Sequence, residues 1–195
     1  MIALAEGKAD LAGCHLWDEE SGLYNIPYVR RLLPGKRTAL VTLAERRLGL
    51  ILPPGNPAGI LSLSDLTRPG LRFINRQSGS GTRVWLDTRL HHLGIDTNKI
   101  GGYANEKITH SAVAQAIAEG EADAGIGLEG AALSYGLDFV LLTHERYHLA
   151  VPEAVMQSAP MTTLINWLAL SASRQVIETL GGYETGCTGQ VEWVE

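Results

Sequence analysis

The chain has only two cysteines, Cys14 and Cys187. That is too few for a disulfide framework, and neither stands at metal-ligand spacing. Aromatic residues are scarce at 6%. No run of about 18 consecutive apolar residues occurs, so no membrane-spanning helix is expected. Charged residues make up 19% against 45% hydrophobic, the wrong balance for a disordered chain. Positive charge is not in excess either. The net charge of −5 argues against nucleic-acid binding through a basic body, leaving such contact to a fused or separate domain. The opening Met1-Ile-Ala-Leu-Ala-Glu-Gly7 lacks a basic leader and meets charge at Glu6 and Lys8, so it does not read as a secretory signal. The expected location is therefore cytoplasmic, or periplasmic if a longer frame supplies a signal. What remains is a chain of 195 residues, long enough to bury a sizeable core.

One segment appears twice. Ala3-Leu-Ala-Glu-Gly-Lys-Ala-Asp10 matches Ala116-Ile-Ala-Glu-Gly-Glu-Ala-Asp123 at an offset of 113 residues. Each copy reads as a helix end, a glycine stop and then a strand, over 11–16 and 124–128. The second copy closes a series: strand 71–75, helix 79–93, strand 100–103, helix 109–119, strand 124–128 and a further strand over 137–142. Such alternation with short glycine-rich connections predicts an α/β protein with a parallel sheet. No such series precedes the first copy, and residues 1–7 read as a helix already under way. The first lobe is accordingly expected to be incomplete at its N-terminus, with bare strand edges that favour a homo-oligomer.

Two apolar strands, 47–52 and 147–152, end at Pro53 and Pro152, where the ladder must stop. Both read as crossings between lobes, placing a discontinuous first lobe at 1–66 plus 145–195 and a second at 67–144. A single packing helix is expected over 161–180, closed by Gly181-Gly182.

The densest chemistry lies in Asn75-Arg-Gln-Ser-Gly-Ser-Gly-Thr-Arg83. It follows a strand and opens a helix, where exposed amides and the helix dipole favour an anion. Ser78, Ser80 and Thr82 add hydroxyls, Gly81 permits close approach, and Arg76 or Arg83 supplies charge. Read without a ligand, the same run is simply a helix cap with a flexible approach, since Ser and Thr are preferred there. No Gly-Lys-Thr phosphate loop is present. Thr109-His110-Ser111 opens the next helix, and parallel strands should bring it to the same edge, together with His15 and Glu129 past the echoed strands.

His144-Glu-Arg-Tyr-His148 fits the zinc-protease pattern, but that chemistry needs a helix. The flanks read as strands, which would separate the imidazoles by roughly 13 Å. A lobe-crossing turn is expected instead, with no metal and no cofactor. Six basic residues against one acid between positions 30 and 47 read as a solvated face.

Taken together, residues 7–15, Leu-Pro-Pro-Gly-Asn-Pro at 52–57, Leu-Ser-Asp-Leu at 63–66, the 73–83 stretch and Gly-Glu-Ala-Asp-Ala-Gly-Ile-Gly at 120–127 resemble the type II periplasmic-binding-protein superfamily. The likeness extends to domains fused to helix-turn-helix regulators or to molybdopterin-biosynthesis proteins, and more distantly to molybdate- and tungstate-binding proteins. It implies a two-lobed α/β fold. By position, Arg76, Ser80, Gly81 and Thr82 would contact an oxyanion, with hinge closure on binding. The resulting expectation is a binding module for a molybdate- or tungstate-like anion, with a regulator's sensing domain as one setting. A biosynthetic enzyme on the same fold, using His110, Glu129 or His15 as acid–base groups, is the alternative.

Overall fold

The computed structural model describes every residue from Met1 to Glu195. The elements run, in order, α1 (Ile2–Ala5), β1 (Ala12–Cys14), α2 (Ile26–Leu32), β2 (Thr38–Leu52), β3 (Phe73–Arg76), α3 (Gly81–His92), β4 (Glu106–Lys107) and α4 (His110–Ala118). There follow β5 (Ala124–Leu128), α5 (Glu129–Ser134), β6 (Asp138–Pro152), α6 (Glu153–Met156), α7 (Ala159–Ala169), α8 (Ser171–Glu178), β7 (Tyr183–Glu184) and β8 (Val191–Val194). No helix is long and apolar enough to cross a membrane.

Contacts divide the chain into two compact units, Met1–Arg46 with Glu145–Glu195, and Arg47–His144. Residues 47–66, expected in the first lobe, fall in the second unit. The reason is strand pairing: the end of β2 is laddered to β5, Leu48 opposite Leu128 and Ile51 opposite Gly125. Both β2 and β6 are 15-residue strands that pass from one unit's residues into the other's.

In the first unit, β1 lies antiparallel to β6, with Cys14 opposite His148. The start of β2 pairs with β8, and Glu45 in its middle pairs with Glu184 of β7. Side-chain alternation along β2 sorts the core into two faces. Leu40 packs with Leu4, Cys14, Val29 and Val194, whereas Ala39 and Val41 pack with Val151, Met161 and Leu168. The expected 161–180 helix is two helices. Leu170 is extended (φ −74°, ψ 141°), and the Ser173 hydroxyl reaches the Trp167 and Leu170 carbonyls that the break exposes.

In the second unit, β3 pairs parallel with both β4 and β5, while β2 closes the other side of β5 antiparallel. The core gathers Ile51, Ile74, Val113, Ile117 and Leu137. Gly125 lets α4 press onto β5, because a methyl group there would meet Val113 at 2.5 Å and Ile74 at 2.8 Å. The strand expected over 100–103 is a turn. Gly102 has φ +84°, outside extended space, and Gly101 lies so close to the Leu71 carbonyl that a Cβ would meet it at 2.5 Å. The strand forms instead at 106–107.

Candidate functional site

Three parallel strands of the second unit deliver three helix N-termini to one edge, since each of β3, β4 and β5 is followed directly by α3, α4 or α5. This is where a doubly wound sheet places its ligands. Ser80 is the N-cap of α3 and accepts the Arg83 amide at 3.3 Å. Thr109 caps α4 by accepting the Ala112 amide at 3.0 Å. The caps satisfy one amide each. The amides of Gly81 and Thr82, and of His110 and Ser111, have no acceptor within their own helices.

The two turns are held side by side. Gln77 donates its amide to the Lys107 carbonyl at 3.1 Å, and Arg76 Nη2 donates to the Ile108 carbonyl at 2.7 Å, one residue before Thr109. Arg76 is only 8% exposed. Thr82, in the first turn of α3, is completely buried, and its hydroxyl has no hydrogen-bond partner. An unpaired buried hydroxyl costs about 1–3 kcal/mol. His110 is half-buried beside β5, where a Cβ on Gly127 would lie 3.5 Å from its Nδ1, and Ser111 is exposed.

Other residues expected at the site are occupied elsewhere. Arg83 binds Asp87 and Glu106, each at 2.8 Å, and stacks over the Tyr103 ring at 4.4 Å. Burial alone would lower its pKa, but the Asp87 and Tyr103 hydrogen bonds outweigh that and raise it. Ser78 has an exposed side chain and gives its amide to Glu106. Glu129 opens α5 and pairs with Arg47 at 3.2 Å.

His15 belongs to the first unit. Its Nδ1 lies 3.1 Å from Glu145 Oε2, and its ring stacks on Tyr147. Glu145, 2% exposed, also pairs with Arg46, whose guanidinium lies over the Tyr147 ring at 4.4 Å. Burial pushes the Glu145 carboxyl up, but the His15 hydrogen bond and the Arg46 charge outweigh it and hold the group below the usual carboxylate range. Asn25 is fully buried at φ 64°, a left-handed conformation. Its side chain accepts the Leu16 amide at 2.7 Å and donates to the Arg146 carbonyl and to His148 Nδ1. Burial holds His148 down at about 4, so it is neutral near pH 7. Burial likewise raises Cys14 to about 12, which makes it an inert thiol.

Glu106 and Asn25 did not stand out in the sequence, and Glu145 did so only as the acid of the 144–148 motif. Its partners His15 and Arg46, like the Arg146 and His148 partners of Asn25, are distant along the chain. A hollow of about 690 Å³ in the first unit lies against Ile2, Cys14, His15, Leu16 and Tyr28. Its walls are mainly apolar, so its volume alone does not make it an anion site.

The His144–His148 motif lies within β6 as continuous strand, rather than in the expected turn. Extended backbone cannot bring the two imidazoles to one metal, and no group of three His, Cys, Asp or Glu gathers at metal-binding distance.

Comparison with known proteins agrees with this architecture. The Bacillus subtilis uncharacterized protein YvgK is 37% identical over 192 residues, 98% of this chain and 61% of its own length. The molybdate-binding protein ModA of Mycobacterium tuberculosis is 27% identical over 161 residues, 77% of this chain and 58% of its own. The chain thus spans about three fifths of the length of these curated relatives. Among solved structures, a Clostridium perfringens protein described as a phosphate ABC transporter substrate-binding protein, with bound phosphate, superposes with a TM-score of 0.61. It is 11% identical and covers 93% of this chain and 81% of that one; at that identity the likeness is one of fold. The family model for the PBP superfamily domain matches residues 1–169. The chain therefore belongs to the periplasmic-binding-protein (PBP) superfamily.

Proposed function

We propose that this chain binds a small tetrahedral oxyanion of the molybdate or tungstate kind, seated on the second unit at the first turns of α3 and α4. The observation that carries the reading is Thr82, whose buried hydroxyl lacks a partner in a helix turn that also holds free-ended amides. A ligand oxygen would accept from that hydroxyl and from the Gly81 and Thr82 amides, while Arg76 supplies the compensating charge. Ser80 and Thr109 fix the two turns, and the amides of His110 and Ser111 complete the donor set.

Further support comes from chemistry shared by the relatives. The molybdate in one name and the phosphate in one structure are both tetrahedral oxyanions. A tetrahedral anion also suits donors supplied by two helix ends held side by side.

Isothermal titration calorimetry with molybdate, tungstate, phosphate and sulfate tests the reading. At least one should bind, and Thr82→Val should weaken it by about tenfold, the loss of one hydrogen bond to a charged group. The same substitution removes an unsatisfied buried hydroxyl, so the melting temperature should hold or rise as affinity falls. Heat-silent titrations with all four anions, in folded protein, would refute the proposal.

A further inference from the structure

The turn at 77–80 already faces a negative charge of the protein's own. Glu106 Oε2 accepts the Ser78 amide at 3.1 Å, and Glu106 Oε1 accepts from Arg83 Nη1 at 2.8 Å. Arg83 in turn donates through Nε to Asp87 Oδ1 at 2.8 Å, and the Tyr103 hydroxyl donates to the same oxygen. One guanidinium is thus shared between two carboxylates. Glu106, Arg83 and Asp87 together carry one net negative charge, which offsets the charge of Arg76. What the edge then offers a ligand is the positive end of α3 and of α4, roughly half an elementary charge each. The Glu106 side chain is 34% exposed, so solvent screens its field without removing it.

We propose that Glu106 is a specificity-determining residue of the oxyanion seat: a resident carboxylate that sets how much negative charge the seat accepts. The inference deepens the oxyanion reading and rests on it. Repulsion from a fixed carboxylate scales with ligand charge, so a dianion feels twice what a monoanion of the same shape feels. Glu106 therefore narrows the advantage a doubly charged anion would otherwise have at two helix N-termini beside an arginine. A carboxylate that merely clamped the Ser78 turn would affect both anions alike, which separates the two roles experimentally.

The test uses the full chain at low ionic strength with tungstate and perrhenate, tetrahedral anions of similar size carrying two charges and one. Glu106→Gln keeps an acceptor for the Ser78 amide and removes the charge. It should improve tungstate affinity relative to perrhenate by about tenfold, a modest part of what one unit charge exerts over a few ångströms. Glu106→Asp keeps the charge, and its ratio should stay within about threefold of the parent's.

An unchanged ratio in Glu106→Gln, with both anions still bound, would overturn the role of Glu106 and leave the oxyanion reading intact. A ratio moved equally by Asp and Gln would reduce Glu106 to a clamp and overturn the role too. Should Glu106→Gln fail to fold, Arg83→Met, which leaves the Glu106 charge uncompensated, must shift the ratio toward perrhenate; no shift would overturn the proposal. Failure of the parent chain to bind either anion would sink the oxyanion reading itself, and this inference with it.

Discussion

The two echoed segments, Ala3–Asp10 and Ala116–Asp123, stop their helices in the same way and then part company. In each, the glycine takes a left-handed φ, +70° at Gly7 and +75° at Gly120. In each, the following amide reaches back five residues at 2.8 Å, Lys8 to Ala3 and Glu121 to Ala116. That stop is local chemistry. The strands that follow differ: β1 has three residues and an antiparallel partner in β6, whereas β5 has five buried residues between parallel β3 and antiparallel β2. Asp123 is tied to Arg72 by side chain and amide, anchoring the approach to β3. A short sequence can dictate how a helix ends, but its neighbours decide what the next strand is for.

Acid should split the two copies most. The neighbour of β1 carries His148, 3% exposed and held near 4 against an ordinary 6.5. Below 6.5 the unfolded chain takes up a proton that the folded one refuses, so stability present above pH 6.5 drains away as pH falls toward 4. The loss approaches about 3 kcal/mol. Hydrogen exchange, corrected for its intrinsic pH dependence, should show β1 amides losing protection over that window before β5 amides do. His148→Gln should flatten the difference. Equal loss in both strands would erase the distinction between the copies.

A smaller effect sharpens the packing side of the comparison. Ala12 of β1 corresponds to Gly125 of β5. Gly125→Ala drives a methyl group into Val113, Ile74 and Ile117 and should cost about 1–3 kcal/mol in thermal or urea unfolding. The reciprocal Ala12→Gly should cost only about 0.5–1 kcal/mol, from backbone entropy. A Gly125→Ala cost no larger than that would mean β5 is less tightly covered than its contacts indicate.

The smallest effect tests what the copies share. A Cβ on Gly7 or on Gly120 would meet nothing within 4 Å, so only backbone strain opposes alanine there. Gly7→Ala and Gly120→Ala should each cost about 1 kcal/mol, and by the same amount within error.

Much of this was legible in the sequence where the signal is local. The bounds of β5, the glycine stops, the strand leading to Arg76 and the cap Thr109 all follow from short-range chemistry, whereas α3 begins at Gly81 rather than at the expected Gly79. What depends on distant partners was not. The basic cluster at 30–47 read as a solvated face, yet Arg37 pairs with Glu153, Arg46 with Glu145 and Arg47 with Glu129. Those acids lie roughly 80 to 120 residues away along the chain, with nothing local to mark them. Arg83 looked like a ligand contact although Asp87 stands one turn further along α3, because its other partners, Glu106 and Tyr103, sit beyond the helix and a turn. The extent of β2 and β6 was equally hidden, since each reads as a short strand until its pairing on both sides is known.

Asn25 combines two demands that pull in opposite directions. Its backbone would prefer glycine, while its amide must both accept and donate to neighbours on three other residues. Glycine would relax the one and abandon the other; aspartate would keep the acceptor but offer no N–H to a carbonyl or an imidazole. The position is thus closed to the usual conservative exchanges, and variation around it must take the form of coordinated change at 25 and 148 together.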